Sequence, residues 1–100
     1  MTQPGQISTM ADLRAAIDAL DVDLVRLLAL RAQLIERAIE LKPAVGIPAR
    51  APDRVADVLA KVRDRARAEG LSPDLAERLW SDMIEFFIAR EEEVLGKGTP

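Results

Sequence analysis

One hundred residues make one domain, close to the lower size at which a chain buries a self-sufficient core. A net charge of −3 with bases dispersed among acids argues against a nucleic-acid or anionic-membrane surface, and no apolar run approaches the ~18 residues of a membrane span. Without Cys, His or Tyr, the chain has no disulfides, zinc sites, thiol nucleophiles or imidazole acid–base catalysis.

The polar start, Met1 to Thr9, lacks a secretory apolar core and is expected to be a disordered tail on a cytoplasmic protein. Thr9 followed by Asp12 resembles a capping box and opens a helix. Over residues 12–42, Leu13, Ile17, Leu20, Leu24, Leu27, Arg31, Leu34, Ala38 and Leu41 recur in alternating four-three spacing. That is the seam of one very long amphipathic helix, which Pro43 is expected to stop after Lys42. Roughly 32 residues at 1.5 Å each give about 48 Å, against a radius of gyration of only ~13 Å for a compact chain of this size. The seam therefore needs a second chain, and an intertwined homodimer is expected.

A loop from Pro43 to Ala51 follows. Pro52 at a first helical position, with Asp53 beside it, opens a second helix that ends near Gly70 and carries the thin stripe Val55, Val58, Leu59 and Val62. Ser72–Pro73 caps a third helix running to about Leu95, with Leu75, Leu79, Trp80, Met83, Ile84, Phe87, Ile88 and Leu95 on its apolar face. Gly96 and Gly98 release the C-terminal tail, residues 97–100. The expectation is an all-α fold, three helices per chain, forming one helical domain over residues 10–96.

Charged side chains on apolar faces mark the candidate site. Arg31 replaces a leucine in the seam, and a buried guanidinium is costly unless an anion meets it. Lys42, eleven positions on, falls within ~20° of Arg31 around the helix and about 16 Å along it, so both can approach one ligand. Alternatively, Lys42 is a solvated lysine complementing the helix dipole. Arg14 lies about 100° from Arg31 and serves the same site only from a partner chain; otherwise it pairs with Asp18 at i, i+4. On the third helix, Glu91 continues the run Ile84, Ile88, Glu91, Leu95. A carboxyl there pairs with a cation, Arg31 being one choice, or takes up a proton. Arg54 by itself reads as a surface residue. With this toolkit, electrostatic stabilisation by fixed cations is the chemistry best supported, and no cofactor or metal is implied.

Leu13-Arg14-x-x-Ile17-Asp18-x-x-Asp21, then Leu27-Leu28-x-x-Arg31 and Lys42, resembles the first helix of the all-helical, type II chorismate mutases. Pro52-Asp53-Arg54, the Gly70-Leu71 break and Glu77-Arg78-Leu79-Trp80 with Ile84-Glu85 extend the resemblance over nearly all of residues 10–95. It implies an intertwined helical dimer binding a dicarboxylate. Arg31 and the partner subunit's Arg14 would hold the two carboxylates, Arg54 would help fix one of them, and Lys42 would bond the ether oxygen. Glu91 stands where the family often has a glutamine donating to that oxygen, a role it can fill only when protonated. Phe87 and Ile88 would line the pocket, Phe87 making it more apolar. The reaction implied is the Claisen rearrangement of chorismate to prephenate. Ala51 and Val55, where many mutases have acids, look more like the isochorismate pyruvate lyases of the same fold, which release salicylate and pyruvate.

Overall fold

The computed structural model describes residues 3–95; the expected C-terminal tail, residues 97–100, and its Gly96–Gly98 release lie outside the described residues. Three α-helices follow a short 3-10 turn at Pro4–Gln6, and no strand occurs among the described residues: α1 is Met10–Val45, α2 Pro52–Glu69 and α3 Pro73–Leu95. Packing divides the chain into two units, Met1–Glu36 and Arg37–Pro100, with α1 running through the boundary. None of these helices is long and apolar enough to cross a membrane.

In the first unit, the Thr9 hydroxyl accepts the Asp12 N–H at 3.1 Å, satisfying one of the orphan donors at the start of α1. Asp12 in the first turn also complements the positive end of the helix dipole. The four-three seam is present but open: Ile17, Leu20, Leu24, Leu27 and Leu34 are all exposed, Leu34 to 73%. Leu13 and Arg31 are half-buried.

The end of α1 corrects one expectation. Pro43 lies inside the helix, which continues to Val45. A proline removes one N–H and crowds the carbonyl four residues back, but in a final turn little helix remains to be broken. Termination falls instead to Gly46, whose φ of 70° is the left-handed conformation that glycine adopts without a Cβ penalty. Its N–H donates to the Pro43 carbonyl at 3.3 Å and the Ile47 N–H to the Lys42 carbonyl at 3.1 Å, the Schellman closure. Lys42 is thereby seated in a closed helical turn rather than at a frayed end.

The second unit holds the close of α1 and an antiparallel hairpin of α2 and α3, whose direction is bracketed by Arg63–Asp74 at 3.0 Å near the turn and Arg50–Glu85 farther from it. Pro52 and Pro73 occupy first-turn positions, where a missing N–H costs no helical bond. Gly70, with φ 76°, ends α2, and the Ser72 hydroxyl accepts the Leu75 N–H at 3.2 Å to begin α3. Val62, Ala66 and Ala76 form the hairpin core, with Val58 and Trp80 packed against it. The two alanines let the backbones approach closely.

The expected α3 face is met at Trp80, Met83, Ile84, Phe87, Ile88 and Leu95, which are buried or half-buried, but not at Leu75 and Leu79. Ala76, Ile88 and Glu91 are its buried residues, whereas Leu75 and Leu79 are exposed, together with Phe86. At 100° per residue Ala76, Trp80, Ile84, Ile88 and Glu91 share one side, and Leu75, Leu79 and Phe86 lie more than 100° around from it. Within that side the small Ala76 lets α3 come close to α2, and Trp80 packs beside it.

Candidate active site

The second unit brings together two of the residues singled out by sequence. Lys42, near the close of α1, donates from Nζ to the Glu91 carboxylate of α3. The same ammonium donates to the Ala49 carbonyl at 3.3 Å. The side chains are withdrawn from solvent, 18% exposed for Lys42 and 6% for Glu91. Ile39 and Ile88, each one turn before its charged neighbour, are buried, as is Ala49.

Of the two outcomes open to a buried carboxyl on an apolar face, pairing with a cation is the one seen, and Lys42 supplies the cation. An ion pair taken out of water loses much of its Coulombic gain to desolvation. The pair fixes a positive charge at a defined point between α1 and α3. A lysine ammonium has three donors. Among the described residues two acceptors meet them, Glu91 and Ala49.

Arg54 occupies the first turn of α2, but its guanidinium, on a side chain 66% exposed, donates to the Asp57 carboxylate at 2.8 Å. Lys61 donates to the same oxygen at 2.9 Å. The Asp57 carboxyl is held below its ordinary range, first by the Lys61 hydrogen bond and then by Arg54, with desolvation opposing. Arg54 is thus engaged on the solvent side of α2. Phe87 is half-buried and meets Phe86 edge to face, with ring centroids 5.2 Å apart, while Ile88 is buried. Arg14, exposed, and Arg31, half-buried, lie on the part of α1 in the first unit.

A second pair has no counterpart among the residues singled out by sequence. Arg50, in the connection before α2, meets Glu85 of α3 in a two-pronged bond, Nη1 to Oε1 at 3.0 Å and Nη2 to Oε2 at 2.6 Å. The Arg50 hydrogen bond holds the Glu85 carboxyl below the usual carboxylate range, and the Glu85 bond raises Arg50. The two residues are 35 positions apart and neither interrupts an apolar pattern, so no local signal marked them. The Ala49 carbonyl was equally silent, since every residue carries one.

The family model for chorismate mutase type II matches residues 13–92, a span containing Arg14, Arg31, Lys42, Arg54 and Glu91. The chain is 34% identical over 92 residues to an isochorismate pyruvate lyase of Pseudomonas aeruginosa, covering 91% of this chain and 89% of that protein. To a T-protein of Enterobacter agglomerans it is 39% identical over 71 residues, 71% of this chain; it spans only about a fifth of that relative, 19%. A chorismate mutase of Methanocaldococcus jannaschii is 25% identical over 89 residues, with 89% of this chain and 90% of that one covered.

Proposed function

The chain belongs to the chorismate mutase type II family, and from that premise we propose that it rearranges chorismate to prephenate between fixed cations. The observation that supports this reading is Lys42. Its ammonium is held by Glu91 and the Ala49 carbonyl, is largely withdrawn from solvent, and retains donor capacity. As the C–O bond of chorismate lengthens, negative charge gathers on the ether oxygen. A cation already in place stabilises that charge without reorganising at the moment of reaction. The rearrangement is pericyclic: one C–O bond breaks, one C–C bond forms, and no nucleophile or obligatory proton transfer is involved. A chain without Cys, His or Tyr can carry it.

Arg31 and the partner subunit's Arg14 hold the two substrate carboxylates, the guanidinium fork matching a carboxylate bidentately. Arg54 joins them by leaving Asp57, an exposed pairing that is readily exchanged. Phe87 and Ile88 supply apolar lining that excludes water and strengthens each electrostatic contact. A second copy of the chain covers the open seam of α1, since a monomer rarely leaves so many large apolar side chains in water.

Glu91 is the ion-pair partner that holds the Lys42 ammonium in place from α3.

A second reading, isochorismate pyruvate lyase, is favoured by Ala51 and Val55 and by the extent of the match to the Pseudomonas protein. Incubation with chorismate and with isochorismate separates the two: prephenate supports the first, salicylate with pyruvate the second. Turnover of neither overturns both and leaves an amino-substituted chorismate as substrate, whereas a non-catalytic helical dimer is tested by ligand-dependent stability. In parallel, a ring dicarboxylate analogue is expected to raise the Tm of the parent but not of Arg31→Ala.

A further inference from the structure

We propose that Arg50 and Glu85 are positioning residues for Lys42, acting as a clamp on the connection between α1 and α2. The proposal rests on Lys42 being the catalytic cation. Residues 46–48 of this connection are exposed. Side-chain bonds then hold two successive residues: the Ala49 carbonyl accepts from Lys42, and Arg50 is bonded through both guanidinium prongs to Glu85. The Ala49 carbonyl and the Arg50 nitrogen belong to one rigid peptide plane. Anchoring Arg50 to α3 therefore sets where the Ala49 carbonyl points, and that carbonyl is one of the two acceptors aiming the Lys42 ammonium. Glu91, the other acceptor, is on α3 too, six residues beyond Glu85. One helix thus steers the lysine twice, directly through Glu91 and indirectly through Glu85, Arg50 and Ala49.

Arg50 and Glu85 are both about half exposed, 51% and 57%. Exposed ion pairs contribute little to stability, so the clamp is expected to show itself in placement rather than in folding. Misplacing a catalytic group by a fraction of an ångström is enough to slow the chemical step.

The experiment compares the parent chain, Glu85→Ala, and the charge-exchanged double variant Arg50→Glu/Glu85→Arg. Three readouts are taken: kcat and KM on the ring dicarboxylate that the parent turns over, Tm, and amide hydrogen exchange over residues 46–50. Glu85→Ala is expected to lower kcat roughly three- to tenfold with a smaller change in KM. It is also expected to speed exchange in the connection and to leave Tm nearly unmoved. The exchanged pair is expected to restore both kcat and protection. Unchanged kcat in Glu85→Ala, a Tm loss that accounts for the kcat loss, or failure of the exchanged pair to restore either readout would overturn the clamp. If the parent turns over neither chorismate nor isochorismate, the proposed reaction fails instead. Exchange then decides: faster exchange reversed by the charge swap upholds the clamp on the connection, and unchanged exchange overturns it.

Discussion

Lys42→Ala is expected to lower kcat by about 10²- to 10³-fold, the usual cost of removing a fixed donor from a developing oxyanion. It should also destabilise the chain by about 3–5 kcal/mol, because Glu91, 5% exposed, would keep a buried charge with its cation gone. The two losses have different causes and can be separated. In Lys42→Met/Glu91→Leu both charges are replaced by apolar groups of similar size, and stability should return to the parental level or above it. Activity should not return, since neither replacement stabilises negative charge on the ether oxygen. Denaturant unfolding and steady-state kinetics on the three proteins provide the check. A double variant as active as the parent would show that Lys42 and Glu91 only hold α1 against α3.

Mixing Arg14→Ala with Lys42→Ala is expected to restore about a quarter of parental activity from two nearly inactive proteins. In a two-fold dimer where each site takes Lys42 from one chain and Arg14 from the other, random pairing makes half the dimers mixed. Each mixed dimer has one whole site, with both lesions gathered in the other. If Arg14 instead serves the site of its own chain, every site in a mixed dimer carries one lesion and no activity returns. Subunit exchange is best driven by partial unfolding and refolding together, with sedimentation confirming mixed dimers. The exposed seam of α1 makes both outcomes accessible, because it gives a second copy a surface on which to assemble.

Most helix boundaries were legible because they rest on local chemistry. Thr9, Pro52, Gly70 and Ser72–Pro73 act within a few residues of themselves, and each was found at the helix end it predicted. Pro43 does not stop α1. A proline breaks a helix according to how much helix follows it, and here Gly46 had already set the end three residues later. On α3 the apolar pattern counts Leu75 and Leu79 with the core and passes over Ala76, whereas close packing against α2 takes the small side chain.

The residue pattern alone is enough to establish an all-α chain of three helices. It also marked two charged residues, Arg31 and Glu91, as out of place on apolar faces, since a charge that violates a helical period is visible without knowing what surrounds it. That Lys42 meets Glu91 and Arg50 meets Glu85 is visible only once the helices are packed. Those pairs span 49 and 35 positions. Which charges meet over such separations depends on how the helices pack, and packing depends on side-chain volume across the interface rather than on the pattern along any one helix.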